Sequence, residues 1–292
     1  MNYFRKPGDI DIKDIIKTAL REDIGQKDIT TAAIIPKAKY AKAILLAKED
    51  CVICGVGIAD EVFKAQDKNI KFKPRVSDGQ KIKKGKIIAH IFGRAQSILT
   101  AERVALNFLS LLSGVATKTR AYVDKIKPYK ANVLDTRKTI PGLRVLEKYA
   151  VRIGGGYNHR MRLDEMILIK DNHLKVWSPE SGVRSSINDL RQKTSKNIKI
   201  EIEVKNLKEF NEALKLRPDI IMLDNMGIED MKKAVRIRNS RLTTYNLQLK
   251  LEASGGINLK NVRKIAACGV EMISIGELTH SVKAIDISLE IL

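Results

Sequence analysis

From Ala131 onward, short apolar runs alternate with segments of helical period, and that alternation leaves few folds open. Strands are expected over 131–135, 166–170, 199–204, 219–224, 248–253 and 271–275. Helices are expected over 143–153, 184–194, 207–216, 228–238 and 259–267, with one more after Gly276. Strict alternation of this kind implies parallel strands joined by right-handed crossovers. Each strand finishes at a polar residue: Arg137, Lys170, Glu203, Asp224, Ser254 and Ser274. In a closed α/β barrel those positions converge on the C-terminal mouth. An open doubly wound sheet is the alternative, and it would spread them along a line.

Polar chemistry is densest over 131–173. The runs Ala131–Leu134 and Met166–Ile169 each end in a polar burst: Asp135-Thr136-Arg137-Lys138-Thr139 after the first, Lys170-Asp171-Asn172-His173 after the second. Between them, Gly154–Gly156 precede Asn158, His159 and Arg160. Buried arginine or lysine is costly unless paired, so several at strand ends read as a site for an anion. A lone histidine is more often structural, but one set between Asn158 and Arg160 after three glycines reads better as a ligand contact. Ser254-Gly255-Gly256 is expected to lead from a strand into a helix, with a companion at Ser274-Ile275-Gly276. Glycines let a backbone approach an oxyanion, and a helix N-terminus favours one. Glu201 and Glu203 share one strand face by alternation; Glu203 is nearer the strand end, so Glu201 reads as a carboxylate that either supports a ligand-binding residue from behind or is paired in the core.

The N-terminal third has a different pattern. Residues 8–24 read as a helix, Thr30 and Thr31 as the start of a turn, and 40–47 as a strand. Gly55 and Gly57 lead into a helix over 58–66. Short strands follow over 70–93, with Asp78-Gly79 and Lys84-Gly85 as breakers. A long helix over 99–127 has Thr100 as its candidate N-cap, a stripe of Leu106, Leu109, Leu112 and Val115, and Ser113-Gly114 as a break or close-packing point. Arg103 reads by itself as a surface ion-pair partner of Glu102 or of a neighbour. The last segment, 284–292, alternates Ile285, Ile287, Leu289 and Ile291; it suits a strand returning to the N-terminal sheet. The net charge is +20, but the lysines are dispersed rather than blocked and only 5% of residues are aromatic. Solvated basic faces and steering of polyanionic substrates therefore explain the charge better than nucleic-acid binding does. Cys51 and Cys54 have the spacing of a redox or zinc half-site, yet without a second cysteine pair or a nearby histidine in the sequence they read as apolar strand filler. With no apolar run of membrane-spanning length and no signal-peptide core at the start, a cytoplasmic location is expected.

These motifs resemble the quinolinate phosphoribosyltransferase family. The matching residues are Asp135–Thr139, Pro141–Arg144, Glu147–Arg152, Gly154–Gly156, Asn158–Arg160, Ile169–His173, Glu201–Val204, Met222–Asn225, Leu251–Ile257 and Leu278–Ser281. The resemblance implies an incomplete parallel α/β barrel of the TIM-like kind over 113–279. It also implies an N-terminal α+β sandwich domain over 1–112, completed by 280–292. The activity it implies is decarboxylating phosphoribosyl transfer from phosphoribosyl pyrophosphate to quinolinate, giving nicotinate mononucleotide, pyrophosphate and CO2.

In that family Arg103, Arg137, His159 and Arg160 match contacts to the ring carboxylates, Arg103 being donated across a dimer interface. Lys138 and Lys170 match the phosphoribosyl and pyrophosphate contacts. Glu203 and Asp224 match the carboxylates at the ribose and the Mg2+, which would be held largely through substrate and water. Lys138, Lys170, Glu203 and Asp224 are thus the residues expected to act in catalysis. Ser254, Gly255, Gly256, Ser274 and Gly276 match the phosphate site, and His280, in a Thr-His-Ser motif, is counted with the substrate-binding residues, as a pyrophosphate contact or a helix cap. A homodimer or a hexamer of dimers is implied, with no nucleic acid and no membrane as partner. Residues 174–197, with Trp177, are more polar than the family pattern, and Arg162 and Asp164-Glu165 also depart from it. A sister enzyme using another ring acid is the nearer rival, and a basic nucleic-acid-binding protein the more distant one.

Overall fold

The computed structural model of the chain describes residues 11–176, 190–192, 197–245 and 249–292. Its strands, in chain order, are β1 (Tyr40–Ala47), β2 (Cys51–Val52), β3 (Lys71–Pro74), β4 (Lys81–Ile82), β5 (Ile87–Arg94), β6 (Asn132–Leu134), β7 (Ile167–Ile169), β8 (Ile200–Val204), β9 (Ile220–Asp224), β10 (Lys250–Ser254), β11 (Met272–Ser274) and β12 (Ile287–Ile291). Two compact units divide the chain. One comprises Arg120 and the described residues before it, Lys138–Gly155 and Leu278–Leu292; the other comprises Ala121–Arg137 and the described residues of Gly156–Glu277.

In the first unit an antiparallel sheet runs in the order β12-β1-β5-β3. The C-terminal strand does return here: Ala43 pairs with Ile291 and Ala47 with Ile287. Two expectations from the sequence are corrected. Thr30 and Thr31 lie inside a helix, Ile29–Ile34, which Asp28 caps by accepting from Thr31 N at 2.9 Å. Thr100 is not an N-cap, because its helix begins five residues earlier, at Ala95, and runs unbroken to Ile126. The Thr100 hydroxyl donates instead to Asp28 Oδ2 at 3.1 Å. Ser113 and Gly114 do not break this helix. Ser113 Oγ bonds both the N–H and the carbonyl of Cys54, and a Cβ on Gly114 would collide with the Lys283 carbonyl. The pair is a close-packing point. By length and composition alone the helix could cross a membrane, but most of its apolar window is buried inside the protein. Cys51, Cys54 and Cys268 are buried free thiols, and burial pushes Cys51 up to about 11. A thiol held protonated is a poor metal ligand or nucleophile, which agrees with the strand-filler reading.

In the second unit six parallel strands run in the order β6-β11-β10-β9-β8-β7. Each lies within two residues of its expected span. Register sets which side chains share a face: Glu203 pairs with Met222, Met222 with Glu252, and Glu252 with Met272. A flat sheet would hold β8 and β10, separated by β9, roughly 9–10 Å apart. Here Glu201 from β8 and Glu252 from β10 both reach one imidazole nitrogen, at 3.1 and 3.6 Å. Both strands thus turn these side chains toward one interior ring, as the inner face of an incomplete barrel does. After β6 the chain returns alongside it, with Tyr157 N donating to Val133 O and a parallel bridge joining Leu134 to Tyr157. Among the described residues no ladder joins β6 to β7, so the barrel is incomplete. The helix expected over 184–194 and the region around Trp177 fall almost wholly outside the described residues.

Candidate active site

The curled sheet gathers its polar residues at the C-terminal ends of the strands. Lys170 immediately follows β7 and reaches across to β8, where its Nζ is 2.7 Å from Glu203 Oε2. The lysine side chain is 45% exposed and the glutamate 9%, so the cation is open to an incoming ligand while its carboxylate anchor is held. Asp224 ends β9, and its Oδ2 accepts from Asn225 Nδ2 at 3.0 Å. Asn225 adopts φ +52°, a left-handed conformation that asparagine tolerates. Its main-chain N–H donates to Ser254 O at 2.8 Å, which ties the end of β9 to the end of β10.

Beyond Ser254 come Gly255 at φ +87° and Gly256 at φ +59°. A Cβ on Gly255 would collide with the Asn225 carboxamide, so only glycine lets these two turns nest. The turn does not open directly into a helix, as expected from sequence; the next helix is Val262–Ala266. Asn258 and Asn261 intervene. Asn261 Oδ1 accepts from Asn258 N, Asn258 Oδ1 from Lys260 N, and Asn261 Nδ2 donates to Gly256 O. Side-chain oxygens that close their own turns delay helix entry.

Arg160 directly follows His159, and Arg137 lies three residues beyond the end of β6. Burial, and the charge of Arg137 beside it, pull the Arg160 guanidinium down from its ordinary range, while Glu201 opposes the shift. Arg160 Nη1 also donates to Met166 O at 2.8 Å. Two neighbouring guanidiniums repel each other, and a bound dianion relieves that repulsion. His159 turns inward. Its side chain is 7% exposed, with Nε2 facing Glu201 and Glu252. Of the residues expected to touch ligands, it is the one whose ring points into the barrel.

Glu201 and Glu252 are completely buried. Neither Glu252 oxygen has a well-formed hydrogen bond among the described residues. Burial, and the carboxylate of Glu201, push Glu252 up to about 8, against the opposing influence of His159 and Ser274. Burial likewise pushes Glu201 up to about 8. A carboxyl whose folded pKa lies above its unfolded value binds more protons in the native state between the two, so stability falls as pH rises from about 4.3 to about 8. Glutamine at 252 never ionises. Glu252→Gln is therefore expected to lose less Tm than wild type between roughly pH 5 and 8, and at the upper end to be more stable by about 1 kcal/mol or more, roughly 2–4 °C. Thermal melts at the two pH values check this; an unchanged pH slope rules it out.

Arg103, Lys138 and His280 belong to the first unit, and all three are exposed. The Lys138 carbonyl accepts from Thr279 Oγ1 at 2.6 Å, and His280 Nδ1 lies 2.6 Å from Ser281 Oγ. Within the second unit the structure brings Lys170 together with Glu203, and Asp224 with Ser254 and Gly255 through Asn225, while Arg137 acts on Arg160 through its charge. Ser274 ends the neighbouring β11, and Gly276 follows it. Sequence reasoning gave no role to Glu252, Asn225 or Lys205. Lys205 lies two residues past Glu203, its Nζ 2.6 Å from Asp171 Oδ2, and that carboxylate, with Glu203 and Asp224 nearby, raises its pKa. The strand-end rule that found Glu203 also reaches Lys205 when carried two residues further.

A curled parallel sheet with cations, carboxylates and a double-glycine turn at its C-terminal edge defines a barrel enzyme for polyanionic substrates. Two family models narrow the class. The quinolinate phosphoribosyl transferase N-terminal domain matches residues 28–113 and the C-terminal domain matches residues 115–290. The chain belongs to the quinolinate phosphoribosyltransferase family. It is 44% identical over 279 residues to a probable nicotinate-nucleotide pyrophosphorylase [carboxylating] of Methanocaldococcus jannaschii, covering 95% of this chain and 96% of that one. It is 42% identical over 290 residues to quinolinate phosphoribosyltransferase [decarboxylating] 1 of Nicotiana glauca, covering 96% and 82%. Among solved structures, the nicotinate-nucleotide pyrophosphorylase of Francisella tularensis superposes with a TM-score of 0.88 at 40% identity, covering 96% of both chains.

Proposed function

We propose that this chain transfers the phosphoribosyl group of phosphoribosyl pyrophosphate to quinolinate with loss of CO2, forming nicotinate mononucleotide and pyrophosphate in NAD biosynthesis. The observation that carries the reading is the Lys170–Glu203 pair at the C-terminal end of the parallel sheet, 2.7 Å apart, with Arg137 and Arg160 within electrostatic reach of each other. The first suits the sugar and its pyrophosphate; the second suits a ring bearing two carboxylates.

The ring nitrogen attacks ribose C1 as the C1–O bond to pyrophosphate breaks. Lys170 stabilises the negative charge that grows on the leaving group, and Glu203 and Asp224 face the positive charge that grows on the ribose. The pyridinium nitrogen then draws the electron pair of the adjacent C–CO2 bond into the ring. CO2 departs, and that ring carbon takes up a proton. The side chains orient and stabilise; no covalent intermediate with the protein is needed.

Glu203 and Asp224 place oxygen donors at the ends of adjacent strands, which fits a Mg2+ ion held mainly by phosphates and water. Such an ion would neutralise pyrophosphate charge. A homodimer or a hexamer of dimers, with Arg103 acting in the partner's site, and a cytoplasmic location complete the proposal. These, and the ligand roles of Lys138 and His280, rest on family resemblance.

The test is pyrophosphate and CO2 release from phosphoribosyl pyrophosphate with quinolinate or nicotinate as acceptor. Turnover with quinolinate and not nicotinate supports the assignment; the reverse favours the sister enzyme and overturns it. Arg137→Ala is expected to raise the KM for quinolinate by about 10–100-fold, the loss of a charge-assisted carboxylate contact. Unchanged quinolinate affinity would remove Arg137 from the carboxylate site.

A further inference from the structure

We propose that Glu201 is a positioning residue for the quinolinate end of the site, acting through the His159 ring on Arg160. The inference rests on the reading above, in which Arg160 engages a ring carboxylate.

His159 is fixed at three points. Its main-chain N–H donates to Asp135 Oδ1 at 3.0 Å. Its ring Nδ1 accepts from the Arg160 main-chain N–H at 2.8 Å. Its Nε2 lies 3.1 Å from Glu201 Oε2. A ring nitrogen that accepts an N–H offers its lone pair there and so carries no proton. The proton of the neutral imidazole must then sit on Nε2, where it is donated to Glu201. Both ring nitrogens are thereby engaged inside the protein, in a side chain only 7% exposed.

The consequence falls on the next residue. If the ring swung away from Glu201, the Arg160 N–H would lose its acceptor. The main chain that carries the guanidinium toward Met166 O would thereby lose that anchor. Glu201 accordingly sets the place of Arg160 without touching a substrate. Asp135, Glu201 and Glu252 are all fully buried; they come from β6's end, β8 and β10, so rigid strands carry the support. Glu252 stands 3.6 Å from Nε2, beyond hydrogen-bond reach, and is the lesser contributor.

A rival reading of the same atoms is a buried metal site, since His159, Glu201 and Glu252 offer ligand atoms within 4.8 Å of one another. A metal would need the Nε2 lone pair, with the ring proton moved to Nδ1 and donated onward. Nδ1 instead accepts from Arg160, so the geometry favours a proton at Nε2 over a cation.

The experiment combines kinetics with histidine NMR on the full-length protein. Glu201→Ala is expected to raise the KM for quinolinate about tenfold or more and leave the KM for phosphoribosyl pyrophosphate within about twofold. Glu201→Gln retains a carbonyl oxygen that can accept from Nε2–H, and is expected to bring the quinolinate KM back to within about threefold of wild type. The chain has four histidines. Selective 15N-imidazole labelling at neutral pH, with His159 assigned by His159→Gln, should show an unprotonated Nδ1 and a protonated Nε2 in wild type. That pattern should be lost in Glu201→Ala. A folded Glu201→Ala with unchanged quinolinate KM, or with both KM values raised together, overturns the proposal. So does a Glu201→Gln variant as impaired as alanine, a wild-type ring protonated at Nδ1, or one equivalent of metal in the purified protein. If Glu201→Ala does not fold, the wild-type ring signals and Glu201→Gln decide the matter. Absence of quinolinate turnover in wild type would instead refute the assigned activity, and the tautomer signals would still report on the ring.

Discussion

Lys170→Ala is expected to lower kcat/KM by about 100–1,000-fold, a loss of ~3–4 kcal/mol of transition-state stabilisation. Two effects add. The first is loss of the exposed ammonium on which the leaving pyrophosphate would place its growing charge. The second is release of Glu203, whose Oε2 now sits 2.7 Å from that ammonium and whose side chain is only 9% exposed. Without the ammonium to hold it, the Glu203 side chain is no longer kept in the position from which it would face the ribose. Lys170→Arg keeps the charge but exchanges a point donor for a broad planar fork, so only partial recovery is expected. Steady-state kinetics with both substrates tests this. A fall in kcat/KM of less than about threefold would mean that Lys170 only stabilises the strand end.

The second large effect is expected at Gly255. Alanine there must adopt φ +87° and place a methyl group into the Asn225 carboxamide. The left-handed backbone alone costs a non-glycine residue about 1–2 kcal/mol. To make room, Asn225 must move, which breaks its contact with Asp224 Oδ2 at 3.0 Å and strains its N–H bond to Ser254 O at 2.8 Å. Gly255→Ala should therefore raise the KM for phosphoribosyl pyrophosphate about 100-fold and reduce stability by about 1–3 kcal/mol. The quinolinate KM, measured at saturating sugar pyrophosphate, should change much less. Equal changes in both KM values would point to general loosening of the barrel edge. Gly256→Ala, with the Asn225 carboxamide at 3.8 Å, has room for its methyl group and is the milder control.

Much of this was legible in the sequence because period and position carry the same information. The alternating apolar runs located all six strands of the parallel sheet, and the residue closing each run marked its mouth. The choice between Glu201 and Glu203 followed from strand position alone, and the structure places Glu201 in the interior and Glu203 beside Lys170. What period does not encode is direction across an interior. Nothing local says that the His159 ring faces two glutamates from strands β8 and β10, because that contact depends on how tightly the sheet curls. Caps were less legible for a related reason. Thr100 has an N-cap's chemistry, but its hydroxyl is taken by Asp28 from a distant part of the chain. The asparagines at 258 and 261 postponed a helix that the strand-turn-helix pattern begins earlier.

The pairing of β12 with β1 sets an order of events during synthesis. β1 can acquire its β5 neighbour once residue 94 has been made, but its other edge has no partner until residues 287–291 are made. An uncovered strand edge is a template for pairing with other chains. Between the synthesis of residue 94 and that of residue 287, this edge of the nascent N-terminal sheet waits for its partner.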